Sequence, residues 1–212
     1  MFTGLIEHLG MVVGVGALGR ARQLRIDLGP LAQRFVAGDS LAVDGVCLTA
    51  TCVEGTEASF EVTATTLDTT TLGEFERGRR VNLERPITLN ARLGGHLVAG
   101  HVDGLTTLQR WSASGQGKIG FFQAPKRITD FVIAKGSVAL NGVSLTIAEL
   151  QDGAFSVALI RETLARTNLG ELQPGQNVNV ETDLIGKYIA KFIAANPAQP
   201  LTLETLKEHG FA

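Results

Sequence analysis

The sequence lacks several features that would assign it to whole classes of protein. Its two cysteines, Cys47 and Cys52, are too few for the disulfide framework of a small secreted protein, and they fit a reducing cytoplasm. No apolar run approaches the ~20 residues of a membrane-spanning helix. The first ten residues, MFTGLIEHLG, contain neither the basic region nor the long apolar region of a signal peptide.

The sequence has nearly equal numbers of basic and acidic residues, 19 and 21. The net charge of −2 predicts no broad attraction to nucleic acid or to an anionic membrane. The four histidines are scattered, and none stands at a zinc-ligand spacing from another histidine or a cysteine, so we expect no metal site. With 44% hydrophobic and 19% charged residues, the composition is that of a soluble globular protein.

The chain contains an internal repeat. Residues 40–84 align with residues 137–181 without a gap, at an offset of 97, and seventeen of the 45 aligned positions are identical. GLIE at 4–7 likewise corresponds to GHVD at 100–103. Two copies are too few for a solenoid, and each half is long enough to bury a modest core. We therefore predict two similar domains, at residues 1–96 and 97–193, and a tail at 194–212.

Both halves have the sequence pattern of β-structure. Asp44-Gly45 and Asn141-Gly142 lie between alternating apolar runs, which is typical of a hairpin turn with positive φ at both central residues. Other short runs, such as residues 154–160, are separated by glycine-rich breaks. This spacing favours an all-β fold, either a sandwich or a small closed barrel.

One helix is predicted, near the end of the chain. A single apolar stripe recurs there at spacings of three and four, formed by Leu184, Ile185, Tyr188, Ile189, Phe192 and Ile193. Asn196-Pro197 is expected to end the helix. Because a helix beyond two closed barrels has little core left to cover, we expect its stripe to contact other subunits.

Candidate chemistry lies on the strand that follows each hairpin turn. Cys47 and Thr49 share one strand face, and Ser144 and Thr146 take the same places in the second repeat. This polar face is either simple solvent-exposed surface or the lining of a small-ligand pocket at the end of each barrel. The second copy also carries His101 where the first copy has a leucine. A lone cysteine and a lone histidine indicate catalysis only weakly, because cysteine often packs as a small apolar residue.

Several ordered motifs cover nearly the whole chain and keep a fixed spacing across the two repeats. They are MFTGLI at 1–6, SLAVDGVCLT at 40–49, GGHLVAGHVDG at 94–104, SLT at 144–146, ETLARTNLG at 162–170, VNVE at 178–181 and HGF at 209–211. Together these motifs resemble those of riboflavin synthases of the alpha-chain type. The resemblance implies two six-stranded Greek-key β-barrels, each able to bind a lumazine, and homotrimers assembled through C-terminal helices.

The resemblance also implies an activity, the last step of riboflavin biosynthesis. Two molecules of 6,7-dimethyl-8-ribityllumazine react, and one transfers a four-carbon unit to the other. The products are riboflavin and 5-amino-6-(D-ribitylamino)uracil, and neither cofactor nor metal is used. Because two substrate molecules must meet, the resemblance also accounts for the presence of two similar barrels. It implies that the reactive centre forms between the first barrel of one chain and the second barrel of a neighbouring chain.

The same resemblance implies the site residues. The implied catalytic residues are Cys47, His101, Ser40, Ser144 and Asp183. The implied pocket of the first barrel consists of Gly4, Leu5, Ile6, Cys47, Leu48, Thr49, Val62, Thr63, Ala64, Thr65, Thr66 and Leu67. The implied pocket of the second barrel consists of Gly100, His101, Val102, Lys135, Ser144, Leu145, Thr146, Leu159, Ile160, Arg161, Glu162, Thr163 and Leu164.

The first repeat departs from the family pattern at two positions. Thr65 and Asp68 stand where the family usually has a glutamate and a basic residue. This change either weakens ribityl contacts in the first barrel or removes a structural ion pair worth ~0–1 kcal/mol if it is exposed.

Two other functions are compatible with the fold. One is a non-catalytic lumazine- or flavin-binding protein, like the related antenna proteins of luminous bacteria, in which the motifs around Cys47 and His101 are degraded; here they are intact. The other is an oligomeric β-barrel scaffold without a ligand, which does not explain why polar residues recur at 49/146 and 66/163.

Overall fold

The fold consists of two closed barrels, each of six antiparallel strands, in a computed structural model that describes residues 1–195, 207–208 and 210. The first barrel comprises β1 (His8–Leu18), β2 (Ala21–Asp27), β3 (Ser40–Val43), β4 (Val46–Glu54), β5 (Glu57–Val62) and β6 (Arg80–Glu84). The second comprises β7 (Gly104–Ser114), β8 (Gly117–Gln123), β9 (Ser137–Leu140), β10 (Val143–Gln151), β11 (Ala154–Leu159) and β12 (Asn177–Thr182). The predicted all-β, two-barrel architecture is confirmed.

The two barrels have the same topology. The strand order around the first is β1-β2-β5-β4-β3-β6, and the second follows it strand for strand as β7-β8-β11-β10-β9-β12. β-Bulges also recur at equivalent places, after Val12 and Leu108 and after Ala50 and Ile147. A bulge bends a strand and increases its twist, which helps a small sheet to close.

The predicted hairpin turns are present. Asp44 and Gly45 have φ of 46° and 79°, and Asn141 and Gly142 have φ of 45° and 78°. Positive φ is tolerated by asparagine and aspartate better than by other side chains, and by glycine best of all. The strands on either side pair in register, Val43 with Val46 and Leu140 with Val143.

Each barrel encloses its own apolar core. Leu24, Phe60 and Leu83 are fully buried in the first, and Leu108, Ile147 and Val180 are fully buried in the second. The cores are filled from alternate positions of the strands, as the period of two requires. Burial of apolar area on this scale is the dominant stabilising contribution to such a fold.

Within residues 1–195 the helices are short, except for the last. They are α1 (Ala64–Thr69), α2 (Lys126–Thr129), α3 (Arg161–Arg166) and α4 (Leu184–Ala195), with 3-10 turns at Gly29–Ala32, Thr71–Glu74 and Asn168–Glu171. The predicted C-terminal helix is therefore confirmed as α4. The expected stop at Asn196-Pro197 and the tail residues His209 and Phe211 lie outside the described residues.

The barrels meet at their equivalent hairpin turns. A Cβ atom placed on Gly45 would lie 2.7 Å from the backbone nitrogen of Gly142, so only glycine allows the two turns to approach this closely. Buried amides surround the contact: Asn82 and Asn179, at equivalent positions of β6 and β12, donate their side-chain N–H groups to the backbone carbonyls of Asn141 and Asp44. An approximate two-fold axis thus runs between the barrels.

Candidate active site

The first barrel presents the polar strand face predicted from the sequence. Val46 and Leu48 of β4 are buried in the core, whereas Cys47 is half-buried and Thr49 is exposed. Ser40 lies directly across from Thr49 in the β3–β4 ladder, so the two hydroxyl groups share this face with the Cys47 thiol. The structure therefore brings together Cys47 and Thr49 of the implied first pocket with Ser40 of the implied catalytic residues.

The second barrel repeats this arrangement around Ser144. Thr146 pairs with Ser137 across the β9–β10 ladder, and Ser144 pairs with Ala139. Ser144 is half-buried and Thr146 is exposed, like their counterparts in the first barrel. The principal difference between the two faces is the thiol of Cys47 in place of the hydroxyl of Ser144.

Two short segments, which we call the crossing arms, complete these faces from the opposite half of the chain. The first arm is residues 2–6 and the second is residues 98–102. The backbone N–H of Ser144 donates to the carbonyl of Gly4 at 2.8 Å, and the N–H of Cys47 donates to the carbonyl of Gly100 at 2.9 Å. Ile6 packs against the core of the second barrel, and Val102 packs against the core of the first.

The crossing arms correct the implied assignment of residues to pockets. Gly4, Leu5 and Ile6 were expected beside Cys47, and the Gly100 segment was expected beside Ser144. In the structure the first arm lies against the second barrel and the second arm lies against the first. The reason is geometric: each arm immediately precedes its own barrel, and at the two-fold axis between the barrels it reaches the neighbouring one.

His101 therefore belongs to the Cys47 side. Its backbone is part of the second arm, which contacts Cys47 through Gly100, and its side chain is exposed. Within the described residues, no hydrogen bond joins the His101 ring to the thiol of Cys47. The structure thus places the backbone of His101 one residue from the contact between Gly100 and Cys47.

Sequence reasoning missed His96. Its Nδ1 lies 2.7 Å from the hydroxyl oxygen of Ser144, and the residue is only 8% exposed. Burial lowers the pKa of His96, although the negative charge of Asp183 opposes this shift, so burial favours the neutral ring. The glycine-rich motif GGH at 94–96 is the feature of the sequence that could have indicated a close approach of this segment to another part of the chain. The structure shows that approach: a Cβ atom on Gly95 would lie 3.0 Å from the Ser144 hydroxyl oxygen.

Asp183 and Lys135 lie at the margins of the second face. Asp183 precedes α4, and its Oδ1 accepts the backbone N–H of Ile185 at 3.0 Å, which satisfies a free donor at the start of the helix. Lys135 is exposed and has a left-handed backbone, with φ of 65°, and its N–H donates to the carbonyl of Ile147.

The remaining implied residues lie where β5 and β11 lead into short helices. In the first barrel Thr63 caps α1 through the N–H of Thr66. In the second, residues 158–162 line an open depression together with residues 114 and 116–118 of the β7–β8 hairpin. Glu162 and Arg166 form an ion pair at 2.5 Å with both side chains mostly exposed, a pair that Thr65 and Thr69 cannot make in the first barrel. Such exposed pairs contribute little stability.

Two kinds of feature were not found in the described part of the chain. Among residues 1–195 and the few described tail positions, no three His, Cys, Asp or Glu side chains are grouped to hold a metal ion. No helix within the same residues is both long and apolar enough to cross a membrane.

Comparison with known proteins identifies the family. The family model for the Lumazine binding domain matches the chain twice, over residues 3–86 and 99–183. The riboflavin synthases of Actinobacillus pleuropneumoniae and Bacillus subtilis are each 36% identical over 215 residues, covering 100% of both chains. That of Mycobacterium tuberculosis strain H37Rv is 40% identical over 199 residues, covering 91% of this chain and 98% of its own. This chain belongs to the riboflavin synthase family.

Solved structures agree with this membership. Crystal structures of LumP complexed with riboflavin and with 6,7-dimethyl-8-(1'-D-ribityl) lumazine superpose with TM-scores of 0.80 and 0.78. They are 26% and 25% identical in sequence, and each match covers 86% of this chain and 99% of LumP. The two-barrel fold of the riboflavin synthase family is thus shared by proteins crystallised with a flavin and with a lumazine.

Proposed function

We propose that this protein catalyses the riboflavin synthase reaction. Two molecules of 6,7-dimethyl-8-ribityllumazine are consumed, a four-carbon unit passes from one to the other, and the products are riboflavin and 5-amino-6-(D-ribitylamino)uracil. The atoms of the two substrates equal those of the two products, so the conversion is redox-neutral and needs no external oxidant. The observation that carries the proposal is full-length similarity to riboflavin synthases in a chain with two equivalent polar faces.

The chemistry requires two identical substrates to take unequal roles. The two faces supply that asymmetry, because Cys47 corresponds to Ser144 and His101 corresponds to Leu5. We assign acid–base assistance to Cys47 and His101 on the first face, with Ser40 beside them. Ser144 and Asp183 hold the second substrate by hydrogen bonds. Bringing the two ligands together removes much of the entropic cost of a bimolecular step.

The active assembly is proposed to be a homotrimer in the cytoplasm. The apolar stripe of α4 is exposed in the single chain, with Ile185 58% and Ile189 54% exposed, and it offers the surface for such an assembly. The reactive centre would form where the first barrel of one subunit meets the second barrel of another. Two free cysteines, Cys47 and Cys52, fit a reducing compartment.

A direct assay tests the proposal. The pure protein is incubated with 6,7-dimethyl-8-ribityllumazine while absorbance and fluorescence report the loss of lumazine and the gain of riboflavin. We expect one riboflavin for every two lumazines consumed. The likeness to LumP complexes favours one second candidate, a protein that binds lumazine or flavin without converting it. Saturable fluorescence changes without riboflavin formation would establish that candidate instead.

A further inference from the structure

Each crossing arm is held by one buried glutamate at the end of a barrel. Glu84, the last residue of β6, is 4% exposed and accepts three hydrogen bonds from the first arm. The backbone N–H of Thr3 donates at 2.6 Å, the hydroxyl of Thr3 at 2.6 Å and the N–H of Gly4 at 2.9 Å. Both carboxylate oxygens are used, so the position of the arm is fixed in two directions.

Glu181 does the same for the second arm. It lies in β12 at the position equivalent to Glu84 and is 3% exposed. The backbone N–H groups of Ala99, Gly100 and His101 donate to it at 2.6, 2.9 and 2.9 Å. Hydrogen bonds that an ionised carboxylate accepts are shorter and stronger than those between neutral groups.

The glutamate and the face that its arm completes are on different barrels. Glu84 belongs to the first barrel, yet the arm that it holds contacts Ser144 of the second. Glu181 belongs to the second barrel, yet its arm contacts Cys47 of the first. The contacts are tight: a Cβ atom on Gly4 would lie 2.6 Å from the Cβ of Ser144, and one on Gly100 would lie 2.6 Å from the Cβ of Cys47. A small movement of an arm therefore changes the surroundings and the exposure of the Cys47 or Ser144 side chain that it contacts.

We propose that Glu181 is a positioning residue for the Cys47 face and that Glu84 is a positioning residue for the Ser144 face. Each glutamate acts across the interface between barrels. It accepts three hydrogen bonds from an arm, and a carbonyl group of that arm accepts one backbone hydrogen bond from the strand. The role in catalysis rests on the proposed function, whereas the control of each face by the opposite glutamate is a property of the free protein. Glu181 also fixes the backbone of His101, so it sets two groups of the first face at once.

Single-thiol variants report on each face separately. Cys52→Ser leaves the thiol of Cys47 as the only one in the chain. Cys47→Ser combined with Cys52→Ser and Ser144→Cys moves the only thiol to the second face. The rate of alkylation by iodoacetamide is measured for each protein, first alone and then with saturating riboflavin. Glu181→Gln and Glu84→Gln are then introduced into both backgrounds, because glutamine keeps the shape and removes the charge.

The expected result is a crossed pattern. Glu181→Gln should raise the alkylation rate of the first-face thiol at least threefold and weaken its protection by riboflavin, with the second-face thiol unchanged. Glu84→Gln should raise the alkylation rate of the second-face thiol and weaken its protection by riboflavin, with the first-face thiol unchanged. Glu149→Gln, an exposed glutamate on β10, is the matched control and should change neither rate. Equal effects on both thiols, or no effect on either, would overturn the proposal.

Two further results separate this inference from the proposed function and from simple unfolding. If riboflavin protects neither thiol in the parent proteins but the crossed alkylation pattern persists, the proposed function fails and the positioning role stands. If the glutamine variants do not fold, Glu181→Asp and Glu84→Asp keep the charge and retract it by one methylene, and the same crossed pattern is expected. If the aspartate variants also fail to fold, Glu84 and Glu181 are required for folding itself, and the positioning role is rejected.

Discussion

At the scale of single residues, the two halves differ in the buried contact between the barrels. Asp44 is fully buried and its Oδ1 accepts the N–H of Asn82 and the side-chain N–H of Asn168 at 2.7 and 2.8 Å. Its Oδ2 has no hydrogen-bond partner among the described residues. The equivalent residue is neutral Asn141, whose Oδ1 accepts the N–H of Asn179 at 2.8 Å. A carboxyl group thus occupies a place that the other repeat gives to an amide.

This difference predicts a pH-dependent stability. Burial raises the pKa of Asp44 from 3.8 to about 7, although its hydrogen bonds and the charge of Arg79 oppose the shift. A carboxyl whose pKa is higher in the folded than in the unfolded protein stabilises the fold fully at low pH, and that stabilisation is lost as pH rises from about 4 to about 7. Asp44→Asn mimics the protonated group. Its free energy of unfolding should match that of the parent protein near pH 4 and exceed it by roughly 1–4 kcal/mol at pH 8.

Urea unfolding at a series of pH values measures this difference. Burial also raises the pKa values of Glu84 and Glu181, so the parent curve contains their contributions as well. Subtracting the curve of the variant isolates Asp44. A difference between the two proteins that does not change from pH 4 to pH 8 would show that Asp44 has the same pKa folded and unfolded.

The second prediction at this scale concerns Cys47 and His101. A thiol and an imidazole placed beside the ring can assist proton transfer, an effect typically worth about 10²–10⁴-fold in rate. We expect Cys47→Ser and His101→Gln each to slow riboflavin formation at least several-fold while the unfolding transition is unchanged. Cys52→Ser is the control, because that thiol is exposed and lies outside the matched motifs, and it should be silent. Wild-type turnover in both variants would leave the reaction to proximity and backbone groups.

At the scale of elements, local sequence patterns predicted the turns and the long helix, but they did not predict which distant segments contact each other. The hairpins at 44–45 and 141–142 and helix α4 were predicted, because turn chemistry and helical period act over a few residues. Strand β11 ends at Leu159, one residue before the predicted run ends. The short helices α1 and α3 were missed, because six residues give too little periodicity to recognise. The exchange of the arms was also missed: a repeat shows that two segments are equivalent, but not which barrel each one touches.

Helix α4 carries the prediction at this scale. Ile185 and Ile189 are 58% and 54% exposed in the single chain, and burial of such side chains contributes about 1.5–3 kcal/mol each. Replacing both with glutamate should release monomers, which sedimentation velocity would detect. Because the reactive centre is proposed to span two subunits, riboflavin formation should be lost while riboflavin binding survives. Lys191→Glu, on another face of the helix, should leave the assembly unchanged. Full activity from verified monomers would contradict the shared site.

At the scale of the whole molecule, the two crossing arms connect the barrels by direct contacts. Phe2 of the first arm pairs with Val98 of the second, and these residues pack with Ala42 and Ala139 in a small apolar cluster between the barrels. Both arms thus contact each other as well as the opposite barrel. The domain boundary predicted between residues 96 and 97 therefore cuts the first barrel away from the arm that completes it.

Two fragments test how much that arm contributes. Residues 1–96 contain all six strands of the first barrel but lack residues 98–102, whereas residues 1–103 contain them. The added arm gives the N–H of Cys47 its partner in Gly100 and returns Val102 to the core. The arm also restores the two backbone hydrogen bonds between Phe2 and Val98. These hydrogen bonds and one partly buried valine, less the conformational entropy lost in ordering the arm, predict a gain of ~1–3 kcal/mol in the free energy of unfolding. Both fragments should unfold cooperatively in urea, with the longer one more stable at equal concentration and with monomers confirmed by sedimentation. Val102→Ala in the longer fragment should remove much of the gain, and equal stability of the two fragments would show that the first barrel is complete without the arm.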